Sequence, residues 1–305
     1  MSPGALGRAL GKNRVLLLDA AMGTELQRRG FATDLPLWSA RALLEHPDAV
    51  LQIHRDYVSA GADIITTNTF RTTGRTFRRA GLPDRSAALS AHAVALARAA
   101  SRSAAPRRVL VAGSIAPLED CYRPDLVPPD DVLALEHAEL AGRLAANGVD
   151  LILLETFGTI RETVAACRAA LDTGLDVVVS FLCRPDGKLY GGEDLPLAVR
   201  TIERLGPAAV SVNCIAPRHA DAILQTLVTS TSLPCAVYAN VGIPGEEQTG
   251  AFRRDLRPGE YAAHAAQWLA LGASIIGGCC GTTAADLREL RAVIDAHMAR
   301  SGITP

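Results

Sequence analysis

The chain has 305 residues, 49% apolar and 21% charged, with 26 glycines; this is the make-up of a globular protein with a large core and excludes a disordered, collagen-like or coiled-coil chain. Lys and Arg number 31 against 32 Asp and Glu, a net charge of -1, so no basic field is present to draw in nucleic acid or an anionic membrane. The 7 cysteines are odd in number and scattered, unlike a secreted disulfide framework, and no apolar run suits a signal peptide or a membrane span. A small-molecule partner and a cytoplasmic location are expected.

In chain order, short β-branched and aliphatic runs recur at Val15–Ala20, Asp63–Phe70, Val109–Ile115, Leu151–Thr156, Val177–Cys183, Ala209–Cys214, Cys235–Asn240 and Ser274–Cys280. Their solid rather than alternating hydrophobicity predicts strands covered on both faces. Between them lie stretches of helical period at Arg85–Ala100, Pro129–Asn147, Thr159–Leu171, Pro217–Thr229, Pro258–Leu271 and Thr283–Arg300. Several open on proline or threonine and close before glycine. Gly61, Gly148 and Gly272 each precede a strand, where the end of a helix needs a left-handed residue. Eight strands at roughly 38 residues per unit predict an α/β fold of the (β/α)8 TIM-barrel type. A doubly wound dinucleotide or P-loop fold is disfavoured, because no glycine-rich phosphate motif follows the first strand. No linker or shift in composition divides the chain, so a single domain over residues 1–305 is expected.

Barrel enzymes work at the C-terminal ends of their strands. Those ends carry Asp19, Asn68, Thr69, Ser114, Glu155, Arg184, Asn213, Cys214, Asn240 and the adjacent Cys279 and Cys280. Cys214, Cys279 and Cys280 come from the sixth and eighth strands into one mouth. Three thiolates with one open position suit a catalytic zinc; small core cysteines, or a vicinal redox disulfide, are the competing readings. Cys121, Cys167, Cys183 and Cys235 read as packing. The seven histidines, His46, His54, His92, His137, His219, His264 and His297, fall within or near helical stretches. That disfavours a histidine-based hydrolase or metal centre.

Five segments then carry a resemblance: LLLDAAMGTEL at Leu16–Leu26, GADIITTNTF at Gly61–Phe70, LILLETF at Leu151–Phe157, SVNC at Ser211–Cys214 and IIGGCCGTT at Ile275–Thr283. Together, in order over residues 12–298, they resemble the homocysteine S-methyltransferase family. That family comprises betaine-dependent and S-methylmethionine-dependent enzymes and the homocysteine-binding module of cobalamin-dependent methionine synthase. The resemblance implies that Cys214, Cys279 and Cys280 bind Zn(II), with the homocysteine sulfur as fourth ligand. Coordination would strip the thiol proton, and methyl would pass in line from an onium-type donor to give methionine.

The resemblance also implies that Asp19 and Glu155 hold the substrate ammonium; capping a helix or turn is their plainer alternative. The Ala21-Met22-Gly23 backbone would receive the substrate carboxylate, although Gly23 could equally serve only the turn. Asn213 joins the substrate-binding set, and Asn240 is either a provisional zinc ligand or a polar strand cap. Trp38 matches a tryptophan of the betaine-dependent enzymes, or anchors a core or lid. A betaine donor needs several aromatic rings, yet aromatic content is 4%, and Arg71 and Thr156 stand where betaine enzymes place tyrosines. SVNCIAP and the chain length resemble the sulfonium-dependent class, whose donor is S-methylmethionine or S-adenosylmethionine. YANVGIPG and GGCCGTT resemble the methionine synthase module, which takes methyl from methylcobalamin, here on a separate corrinoid protein. The sulfonium is the expected donor; Arg71 opposes it unless it bonds a donor carboxylate.

Overall fold

Eight short runs of Val, Ile, Leu and Ala pair side by side, all parallel, as β1 (Leu16–Leu17), β2 (Ile64–Thr66), β3 (Leu110–Ile115), β4 (Leu151–Phe157), β5 (Asp176–Leu182), β6 (Ala209–Asn213), β7 (Cys235–Ala239) and β8 (Ala273–Gly278). The computed structural model describes residues 4–11, 14–242, 253–257 and 259–302. Pro258, expected to open a helix, and Ile243–Gly245 of the YANVGIPG segment lie outside the described residues. β1 pairs with β8 through Leu16–Ile275 and Leu17–Ile276, and a parallel bridge from Leu18 to Ile64 joins β1 to β2. The sheet thereby closes into the expected (β/α)8 barrel.

Solid apolar strands follow from this closure, because both faces of every strand are covered. Leu16, Leu18, Ile64, Leu110, Leu151, Leu153, Val178 and Ile275 fill the lumen, while Leu17, Ile65, Val111, Ile152, Val179 and Val237 pack outward against helices. The helix Ala5–Leu10 inserts Leu6 and Leu10 into the lumen cluster, and Leu6 N–H bonds the Asp176 carboxylate. It therefore seats at the N-terminal end of the strands. Gly61, Gly148 and Gly272 take φ of 102°, 81° and 102°, the left-handed role read from their places.

Two strands are much shorter than expected, and β6, β7 and β8 stop one or two residues before their expected ends at Cys214, Asn240 and Cys280. β1 stops at Leu17, and Asp19 turns its carboxylate to Thr66. β2 stops at Thr66, because Thr67, Asn68 and Thr69 spend their side chains on one another, on Ser39 and on the Ser114 carbonyl. Such local bonds compete with the ladder. Helices Gly23–Arg28, Gly74–Arg79 and Leu195–Glu203 were not predicted, whereas Pro47–Ser59 is the helical stretch expected around His54. Among the described residues no helix is long and apolar enough to cross a membrane.

Candidate active site

The C-terminal strand ends surround a cavity open to solvent, the usual place for a small-molecule site in such a barrel. Its wall includes Asp19, Ala21, Met22, Gly23, Trp38, Glu155, Cys214, Cys279 and Cys280. Residues from both ends of the chain thus meet in one place, as the barrel geometry requires.

Cys214 follows β6, and Cys279 and Cys280 follow β8. Their three sulfurs all lie within 4.8 Å of one another, with Cys214 and Cys280 Sγ atoms 4.0 Å apart. Tetrahedral zinc at a Zn–S distance of about 2.3 Å sets neighbouring sulfurs about 3.8 Å apart, close to the Cys214–Cys280 separation, so this soft, three-sulfur donor set suits such an ion. The Cys214 thiol is drawn well below its ordinary pKa because Cys279 and Cys280 donate hydrogen bonds to it, whereas those two are pushed well up beside the Cys214 thiolate.

Close packing explains both glycines before the cysteine pair: a Cβ on Gly277 would lie 2.7 Å from Leu18 Cβ, just after β1. A Cβ on Gly278 would lie 2.2 Å from Thr282 Oγ1, the hydroxyl that bonds the Cys279 carbonyl. Gly23 is required in the same sense: a Cβ there would fall 2.6 Å from three atoms of the Trp38 indole. The ring therefore lies on a bare backbone.

The two carboxylates are placed by different devices. Asp19 accepts Thr66 N–H at 2.7 Å and the Thr66 hydroxyl at 2.9 Å. Glu155 sits at an irregularity of β4 between Leu154 and Phe157, with Thr156 at φ 63°, and accepts the Ser114 hydroxyl. Burial pushes Asp19 up to about 8 and Glu155 up to about 7; Thr66 and Ser114 offset this only in part, and the two carboxyls repel. Among the described residues no cation pairs with either. Two buried carboxyls facing a cavity without a counter-ion are held toward their neutral form, and a cation placed between them would favour ionisation.

Three non-glycine residues among those described have left-handed φ, Trp38 at 51°, Thr156 at 63° and Cys214 at 55°, and all three line the cavity. Such conformations cost about 1–3 kcal/mol each and persist where surrounding structure imposes them. Asn68 imposes one: its amide takes the Ser39 hydroxyl at 2.6 Å and donates to the Ser39 carbonyl at 2.9 Å, anchoring the turn that presents Trp38. At the other end of the turn-and-helix segment, the Tyr57 hydroxyl donates to the Ala21 carbonyl.

Asn213 and Asn240 are not where substrate contact would need them. Neither lines the cavity. Asn213 accepts Thr156 N–H and the Ser180 hydroxyl, and its amide nitrogen lies 4.0 Å from Cys279 Sγ. Asn240 accepts Cys280 N–H at 3.1 Å and sets its nitrogen 3.7 Å from Cys214 Sγ. With its oxygen engaged by the main chain, Asn240 offers the sulfur cluster an N–H and no ligand atom. Arg184 pairs with Asp186 at the surface and also stays outside the cavity. Cys167, Cys183 and Cys235 are buried, their thiols pushed up to about 12 by burial, whereas Cys121 lies on the cavity wall. Sequence reasoning missed Tyr122, whose hydroxyl lies 3.3 Å from Cys214 Sγ. It comes from the loop after β3, where no motif marks it.

The family model for homocysteine S-methyltransferase matches residues 16–294. The homocysteine S-methyltransferase of Escherichia coli (strain K12) is 35% identical over 303 residues, covering 93% of this chain and 96% of its own. The methionine synthase of Mycobacterium tuberculosis is 32% identical over 300 residues, 92% of this chain but 25% of that enzyme. Among solved structures, the metallated form of the homocysteine methyltransferase MmuM from Escherichia coli superposes with a TM-score of 0.83 at 33% identity, over 94% of this chain and 99% of that one. The apo form of the same protein superposes with 0.74.

Proposed function

The chain belongs to the homocysteine S-methyltransferase family, and from that premise we propose that it moves a methyl group from a sulfonium, S-methylmethionine or S-adenosylmethionine, to homocysteine, giving methionine. The carrying observation is the juxtaposition of a three-cysteine metal site with two recessed carboxylates that lack a cation. The metal is read as Zn(II), held by Cys214, Cys279 and Cys280. Zinc, when bound, supplies the positive charge that removes the substrate thiol proton and keeps the sulfur nucleophilic at neutral pH.

The protein's own residues do the rest by positioning. Asp19 and Glu155 take the homocysteine ammonium, and the main chain at Ala21, Met22 and Gly23, entering the helix Gly23–Arg28, receives its carboxylate; the Ala21 N–H, which donates to the Thr282 hydroxyl at 3.4 Å, would have to exchange that partner. Asn213 and Asn240 direct amide hydrogens at Cys279 and Cys214, which tempers the charge on those sulfurs. Trp38 closes the wall over Gly23 and excludes water. The thiolate attacks the donor methyl carbon as the old C–S bond breaks, and its electron pair stays on the donor sulfur, which leaves as a neutral thioether. Holding both reactants in line supplies much of the acceleration. The same reading takes residues 1–305 as one homocysteine-binding domain acting in the cytoplasm.

The likeness to a quarter of a methionine synthase favours one second reading, a module that presents homocysteine to methylcobalamin on a corrinoid protein. A donor panel separates the two. Purified zinc-loaded protein with homocysteine should form methionine from S-methylmethionine or S-adenosylmethionine alone; formation only on addition of a methylcobalamin protein would establish the second reading instead. Turnover with betaine alone would overturn both.

A further inference from the structure

The cavity is charged asymmetrically. Asp19 and Glu155 are its acids, and Arg71 is the one cation among the described residues that line it. Arg71 follows Phe70, its guanidinium carbon 5.5 Å from the centre of that ring, which gives it a flat support. The acid whose main chain it meets is already committed: the two carboxylate oxygens of Glu119 are taken by Arg75 and Arg79. Arg71 reaches only the Glu119 main-chain carbonyl, at 3.2 Å, and its Nε is buried without a partner. No carboxylate among the described residues pairs with it. A half-buried guanidinium with a buried, unpartnered Nε and no anion beside it in a substrate cavity is placed to take one from a ligand.

A positive wall would repel a sulfonium as such, so its presence selects among sulfoniums. We infer that Arg71 is the specificity-determining residue for the methyl donor, forming an ion pair with the donor's carboxylate and so restricting the donor to sulfoniums of the amino-acid type. This rests on the sulfonium reading above. Homocysteine, whose ammonium is met by Asp19 and Glu155 and whose carboxylate has the Ala21–Gly23 backbone, does not need it.

The test compares S-methylmethionine with its carboxamide, which has the same sulfonium but no carboxylate charge, in zinc-loaded wild type, Arg71→Gln and Arg71→Lys. Wild type should favour the acid over the amide in kcat/KM by about tenfold or more, the scale of a charge-assisted pair. In Arg71→Gln that ratio should collapse toward one, with the loss for the acid entering through KM rather than kcat; Arg71→Lys, which keeps the charge without the fork, should fall between. Homocysteine affinity, read by calorimetry without donor, should be retained in both variants, which also reports that they fold. A wild type active with sulfoniums but indifferent to the carboxylate, a ratio unchanged in Arg71→Gln, or a loss of homocysteine affinity there overturns this assignment alone. A wild type idle with every sulfonium overturns the donor reading and this assignment together.

Discussion

A methyl group added at Gly23 meets a rigid ring. The Cβ of Gly23→Ala would lie 2.6 Å from Cε2, Cζ2 and Nε1 of Trp38, whereas carbon atoms rest comfortably about 3.5–4.0 Å apart. The indole must therefore retreat by about 1 Å. It has little freedom to do so, since Trp38 already sits at φ 51° and its neighbour Ser39 is bonded twice to Asn68. Forced overpacking of this kind costs about 1–3 kcal/mol, or about 2–5 °C of Tm in a chain of this size. A cavity wall displaced by about 1 Å lowers turnover by about a hundredfold. Thermal unfolding, initial rates and tryptophan emission read the three consequences, and the emission reports Trp38 because the other tryptophan, Trp268, is fully buried and bonded to Asp221. Adding Trp38→Ala should restore most of the lost Tm but not the activity. Wild-type Tm and rate in Gly23→Ala, or no recovery in the double variant, would refute the packing argument.

Cys279→Ser and Cys280→Ser should each lose stoichiometric zinc and nearly all activity while keeping the barrel's circular dichroism; full metal content with full activity would sink the proposed centre. Glu155→Gln should weaken homocysteine binding by about tenfold or more and leave zinc content intact, and equal loss of both would show that Glu155 serves the metal instead. Because Asp19 and Glu155 are raised to about 8 and about 7 and must be ionised to hold an ammonium, homocysteine affinity should fall as pH drops through 8 and more steeply through 7. Glu155→Gln should abolish the lower step, and identical profiles in the two proteins would contradict the assignment. His54 is buried with neither ring nitrogen partnered, and burial lowers it from 6.5 to about 4. The unfolded chain takes this proton first, so its stabilisation is complete above pH 6.5 and shrinks by about 3 kcal/mol on going down to pH 4. Denaturant midpoints should show a shallower acid loss in His54→Leu, and parallel curves would remove His54 as the cause.

The architecture was legible in the chain because a parallel barrel writes itself as a count: each strand buried on both faces leaves a solid apolar run, and most helix-to-strand turns leave a glycine, as at Gly61, Gly148 and Gly272. The positions of Asp19, Glu155, Cys214, Cys279 and Cys280 were legible for the same reason, since a residue at the end of such a run lies at the mouth. The direction in which polar side chains turn was not. Asn213 and Asn240 stand at strand ends yet point behind the sulfurs, because their amides are engaged by partners 26 to 66 residues away. The left-handed backbones of Trp38, Thr156 and Cys214 carry no local signal either, as none is glycine. Arg71 stood out in the sequence only by its place after Phe70, and the tertiary structure alone shows Glu119 committed to Arg75 and Arg79. Burial pattern is a property of each segment and can be read along the chain. Pairing is a competition among distant groups for a few acceptors, and the folded barrel alone decides it.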